Sequence, residues 1–85
     1  MDKQTMILEI LSPEKIIFTG EVSRVALPGS MSPFVVLYNH APMISSLTEG
    51  NVSWIAADNE QSVKVTGGFV EIKDNCITVC VEVVE

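Results

Sequence analysis

GGFVEIKDNCITVCVEVV, residues 67–84, decides the fold class. Read with a period of two, Ile77, Val79, Val81 and Val83 fall on one face, and Cys76, Thr78, Cys80 and Glu82 on the other. Asp74-Asn75 is a turn pair, so 67–73 and 76–84 read as the two arms of a hairpin. Both faces of the second arm are partly apolar, which predicts a strand covered on two sides or lying near an interface. Gly67-Gly68 lacks the lysine and following helix of a phosphate cradle, and is expected to mark a bulge or a close backbone approach.

The same alternation extends toward the N-terminus. TMILEIL (5–11) sets Met6, Leu8 and Ile10 against Thr5, Ile7 and Glu9. KIIFTGEV (15–22) follows the Ser12-Pro13 break, with Gly20 a candidate bend or bulge. SRVALPG (23–29) places Val25 and Leu27 opposite Arg24 and Ala26, and FVVLY (34–38) is an apolar run of strand length. The histidine segment reads as a turn between strands, with Pro42 fixing its backbone, and Thr48-Glu49-Gly50-Asn51 as another turn. NVSWIAA (51–57) and QSVKVTG (61–67) are further strands on either side of Asp58-Asn59-Glu60. No window holds apolar residues at helical spacing without Pro, Gly or a β-branched run interrupting it. Turn signals recur about every 8–12 residues, the spacing of an all-β sandwich or barrel. The chain, residues 1–85, is therefore expected to be all-β and one domain.

Composition narrows the partners. A net charge of −6 with only five Lys or Arg leaves no basic patch for nucleic acid, and the same deficit argues against attraction to an anionic membrane. No apolar run nears the ~20 residues of a spanning helix, and MDKQTMILEIL has neither the basic region nor the long apolar segment of a secretory signal. A soluble protein that stays in the compartment where it is made is the expectation. At 47% hydrophobic content the chain can build a core, which folding at this size needs.

Chemistry finds few footholds. Cys76 and Cys80 in a strand would lie about 13 Å apart, beyond the ~7 Å reach of a disulfide, and are expected to be reduced core residues. With one histidine they also fall short of a four-ligand zinc site. His40 is the sole imidazole, with Ser45 and Ser46 nearby, yet no carboxylate lies within eight residues of it. A hydrolase centred on His40 would need an orienting acid from elsewhere in the fold. Glu9, Glu71, Glu82, Asp58 and Asp74 sit at outward strand positions or turns, as a solvated acidic face would. Trp54, with Asn51 and Ser53 beside it, suits a core or interface better than a sugar platform. No catalytic, cofactor-binding or metal-binding residue is expected, and no cofactor.

LPGSMSPFVVLYNHAP, residues 27–42, resembles the epsilon subunit of F-type ATP synthase, called delta in mitochondria. That family's signature runs LPG, a short loop containing Gly and Glu, an apolar residue, Gly-Val-Leu, Pro-Gly, then HAPLL. Leu27-Pro28-Gly29, Phe34, Val36-Leu37, His40-Ala41-Pro42 and Met43-Ile44 fit without a gap. LEILSPEKIIFTGEV (8–22), Leu47 with Glu49-Gly50 and Val52, GGFVEI (67–72) and ITV (77–79) extend the likeness over nearly the whole chain.

The resemblance implies a two-sheet β-sandwich of about ten short strands. It implies a non-catalytic part of the rotary central stalk, docked on the gamma subunit and the c-ring at the cytoplasmic face of the bacterial inner membrane. Ion passage would there be coupled to ATP synthesis. By the same resemblance Ser12, His40, Ala41, Pro42 and Ser45 would face gamma, and Ser30, Met31, Ser32 and Pro33 the ring. The chain departs from the pattern at Ser32 and Pro33 (Gly and Glu), Val35 (Gly) and Tyr38-Asn39 (Pro-Gly). Relatives continue into a two-helix domain that inhibits ATP hydrolysis; if Glu85 ends this protein, that inhibition and ATP binding are expected to be absent. The alternative from another class is a small sandwich that binds a carbohydrate or peptide on one sheet.

Overall fold

The computed structural model describes residues 4–83, so Val84, which the alternation assigns to the last strand, lies outside the described residues. Eight strands form within them: β1 (Met6–Leu11), β2 (Ile16–Val22), β3 (Arg24–Leu27), β4 (Phe34–Val36), β5 (Met43–Leu47), β6 (Gly50–Ala56), β7 (Asn59–Lys73) and β8 (Cys76–Val83). Hydrogen bonding runs continuously in the order β2-β1-β8-β7-β6-β3-β4, with β5 paired to β7 as a side branch. β1 and β8 are parallel and every other pairing is antiparallel.

β7 joins two layers. Its first half pairs with β6, from Asn59↔Ala56 to Val65↔Gly50, and its second half with β5, from Gly68↔Leu47 to Ile72↔Met43. β5 and β6 thus lie end to end along one side of β7, while β8 takes the other side of its second half. The first sheet is β2-β1-β8-β7-β5 and the second is β7-β6-β3-β4. Between the halves the β7–β8 register shifts, leaving Thr66 as the bulged residue between Val65↔Val83 and Gly67↔Glu82. The Thr66 hydroxyl donates to the Glu82 carbonyl (3.2 Å), substituting for a ladder bond. Gly68, at φ 146°, lies so close to β8 that a Cβ there would collide with the Cys80 carbonyl.

Inward positions of both sheets fill one core. Met6, Leu8 and Ile10 from β1, Ile77, Val79 and Val81 from β8, and Val65, Val70 and Ile72 from β7 are buried with Val25, Leu27, Val36, Val52 and Trp54 from the second sheet. Phe18 of β2 packs on Trp54 with ring centroids 4.9 Å apart, and the Ser23 N–H donates to the Ile55 carbonyl (2.9 Å), closing one flank. On the other flank Gly29 bridges to Leu47, and the Thr48 N–H donates to the Pro28 carbonyl (2.8 Å). At Gly29 a Cβ would meet the Phe34 ring and the Ser32 carbonyl, so the turn after LPG closes only on glycine.

Several expectations need correction. The two strands read at 61–67 and 67–73 are one, because the Thr66 bulge bends the chain without breaking the ladder; this is one reason for eight strands rather than about ten. Met43–Leu47 is a strand that local pattern did not announce, since two serines interrupt its apolar positions. Gly20 sits in regular register opposite Leu8, and the bulge on that hairpin falls at Ile10/Leu11. The cysteines are free but are not core residues: Cys76 is exposed and Cys80 half-buried, because the core side of β8 belongs to Ile77, Val79 and Val81.

Gly68→Ala is expected to lower stability by about 2–4 kcal/mol, through a left-handed backbone carrying a side chain and the collision with β8. Urea unfolding measures it, and a loss below about 1 kcal/mol would mean that the bend relaxes freely.

Candidate functional site

Two surface features stand apart from a solvated sandwich: the corner between β4 and β5, and the outer face of the first sheet. At the corner the His40 N–H donates to the Leu37 carbonyl (3.1 Å), closing a turn whose Asn39 has φ 66°. The Asn39 N–H donates to Asn75 Oδ1 (2.6 Å), and Asn75 Nδ2 donates back to Asn39 Oδ1 (3.1 Å). Asn75, at φ 60°, belongs to the β7–β8 turn, and its carbonyl accepts from the Ile7 N–H (2.9 Å). One residue therefore ties the corner, the hairpin and the start of β1 together. Asparagine suits position 39 because it tolerates the left-handed region and adds the side-chain oxygen that accepts from Asn75 Nδ2. His40 Nδ1 lies 2.7 Å from the Ala41 carbonyl, which can only accept, so Nδ1 carries the proton and Nε2 is left for a partner.

On the outer face, strand register lines side chains into rows. Leu11, Cys80 and Phe69 form one row across β1, β8 and β7. Glu9, Thr78, Glu71 and Ile44 form the next, and Ile7, Cys76 and Lys73 the third. Phe69 is 50% exposed and Ile44 72%, with Ile7 and Ile16 also exposed. Beside Phe69 a shallow groove of about 500 Å³ runs between the Ser12-Pro13 turn and Gly67-Gly68. A face that met only water would carry polar residues at these alternating positions.

The residues carried by resemblance do not form one cluster. His40, Ala41 and Pro42 lie together at the corner, with Ala41 and Pro42 exposed. Ser12 stands at the opposite end of β1, about 16 Å away along the strand, and its hydroxyl is engaged with Lys15 of its own turn. Ser45 pairs with Val70 on the inward side of the edge strand, half-buried, and its hydroxyl donates to the Ser46 carbonyl (3.1 Å). Among the described residues no hydrogen bond joins His40 to Ser45, whose hydroxyl donates to the Ser46 carbonyl instead. The 30–33 loop is at the far end of β5 from His40, held by the Ser46 hydroxyl donating to Ser30 Oγ (2.9 Å), and its Met31 is 98% exposed. A second groove of about 620 Å³ opens along this loop. Ser12, His40 and Ser45 thus border the outer face rather than meet at a point. Ile7, Leu11, Ile44 and Phe69, which share that face with Cys80, were not singled out as contacts from sequence. Their signal was the apolar residue at an outward position, visible in β8 as two partly apolar faces. Among the described residues no group of three or more His, Cys, Asp or Glu is placed to hold a metal ion.

One outer sheet face of the sandwich thus carries a row of apolar side chains, Leu11, Cys80 and Phe69, set among glutamates. Residues 5–85 match the family model of the ATP synthase Delta/Epsilon chain, beta-sandwich domain, and the chain belongs to that family. It is 39% identical over 79 residues to the ATP synthase epsilon chain of Leptospira interrogans, covering 93% of this chain and 62% of that one. The epsilon chain of Pelotomaculum thermopropionicum is 39% identical over 85 residues, 100% of this chain and 63% of the relative. The chain therefore spans about three fifths of the length of these curated relatives. Its fold also matches a chain of the Euglena gracilis mitochondrial ATP synthase (OSCP/F1/c-ring) at TM-score 0.86 and 16% identity, over 93% of this chain and 51% of that one. A chain in the Tetrahymena thermophila mitochondrial ATP synthase central stalk/c-ring matches at TM-score 0.76 and 19% identity, over 96% and 66%.

Asn75→Gly keeps the left-handed turn and deletes only the clamp, so it is expected to cost about 1–2 kcal/mol and to speed amide exchange at Asn39 and His40. Exchange rates unchanged by the substitution would show that the corner is held by its own turn.

Proposed function

We propose that this domain is a non-catalytic subunit of the central stalk of an F-type ATP synthase, docked on the gamma subunit and on the c-ring. The observation that carries the proposal is the set of exposed apolar side chains on the outer face of the first sheet, Phe69 and Ile44 foremost, in a chain of this family. Its location is peripheral, at the cytoplasmic face of the bacterial inner membrane; no helix among the described residues is long and apolar enough to cross a membrane. The two features carried by resemblance sit at opposite ends of β5, the His40 corner at Met43 and the 30–33 loop at Leu47. A close-packed sandwich holds such surfaces at a fixed separation, because its interior is too dense to shear under load. Torque from the ring can then pass to gamma through the sheet, with no chemical step in this subunit.

The ring contact has its own character here. Pro33, where the resembled pattern has an acid, and Met31 in the same loop are both exposed, which favours shape and apolar contact over charge. The carbohydrate alternative loses its platform, since Trp54 is 4% exposed and covered by Phe18.

Copurification from membranes with gamma and the c-ring tests the proposal, and recovery of the chain free of both contradicts it. His40→Ala is expected to weaken gamma binding by about fivefold while the fold stays intact, since Nε2 offers a single hydrogen bond. Pro33→Glu is expected to alter coupling of ring to head; assembly and coupling identical to the parent's would sink the special character of this loop.

A further inference from the structure

The outer face of the first sheet carries charge as well as apolar surface, and the two are ordered. Its outward strand positions hold Glu9, Glu21, Glu71 and Glu82 against one lysine, Lys73. The Leu11–Cys80–Phe69 row lies between them: Glu9 and Glu71 flank Thr78 on one side, and Glu82 stands next along β8 on the other. Glu14, exposed in the β1–β2 turn, sits with Glu82 on a small cleft at the same edge. Glu9 is only half-exposed, so a partner that covers the row must desolvate a carboxylate and would need a cation to answer it.

We propose that this face seats a protein segment whose apolar side chains fill the Leu11–Cys80–Phe69 row while flanking lysines or arginines meet Glu9 and Glu71 on one side and Glu82 on the other. The proposal rests on the docking function above and specifies the chemistry of the gamma surface that docks. Phe69 is the anchor: it is half-exposed, aromatic, beside the groove, and fixed in position by Gly68 before it. A second copy of this chain is a poor occupant, because face-to-face pairing would bring the same glutamates together. An anionic lipid surface is repelled for the same reason.

The test is binding of the whole chain to purified gamma subunit, followed across salt from about 0.01 M to about 1 M, where the screening length falls from about 30 Å to about 3 Å. The parent chain is expected to lose affinity steeply with salt. Combined Glu9→Gln and Glu71→Gln should weaken binding about tenfold at low salt and flatten the slope, chiefly through slower association. Phe69→Ser should weaken binding about tenfold at every salt, through faster dissociation. Glu60→Gln, on the second sheet, should change neither. Circular dichroism on each variant separates lost contact from lost fold. Parent binding with a salt slope that the glutamine pair leaves intact overturns this proposal and leaves the docking function standing. No binding of the parent chain to gamma overturns both. Sedimentation of the chain alone gives the remaining arm: a dimer abolished by Phe69→Ser would assign the face to a second copy and overturn the proposal.

Discussion

β7 serves both layers only because its backbone turns at Thr66–Gly68 while staying bonded on either side. Thr66 leaves the ladder and repays the lost bond through its hydroxyl to Glu82. Gly68 then adopts a conformation closed to other residues and lies against the Cys80 carbonyl. Everything downstream inherits this step. Without it Val70 and Ile72 would not return to the same core as Val65, and the two sheets would have no common strand.

The same bend creates the surface on which the proposed docking rests. Phe69 follows Gly68 and must point away from the core once Val70 points into it. Parallel pairing of β1 with β8 then brings Leu11 level with Cys80, so three apolar side chains meet outside the sandwich. Burying an aromatic side chain fully is worth about 1.5–3 kcal/mol, so leaving Phe69 half in water forgoes a gain that a partner can recover. At the other end of β1 the Asn39–Asn75 clamp sets the histidine corner against the same sheet. The corner and the face are thus parts of one rigid body, fixed by Asn75 and by the β1 ladder.

Much of this was legible in the chain. Alternation in TMILEIL, SRVALPG and CITVCVEV named the buried residues of β1, β3 and β8, and Gly67-Gly68 announced the close approach. What escaped has a physical reason in each case. Met43–Leu47 is an edge strand held by β7 on one side, so its pattern needs only one buried end, Leu47, and two serines suffice between. The cysteines misled because free cysteine is usually a core residue, whereas here the core side of β8 was already taken by Ile77, Val79 and Val81. The resemblance named Ser12, His40 and Ser45 as contacts, yet whether they meet depends on strand length and register. Those set them around a face whose own residues, Leu11 and Phe69 foremost, carry no motif.

The central claim is that the outer face of the first sheet is covered in the working assembly. Cys80, half-buried in the middle of the apolar row, reports on it directly, with exposed Cys76 nearer the corner as a second probe. The measurement is the rate of alkylation of the native thiols in the free chain and in membranes that contain the assembled complex. Strong protection of Cys80 on assembly is the result predicted. Equal rates at Cys80 in the two states would contradict the account, since no partner could then lie across Leu11 and Phe69.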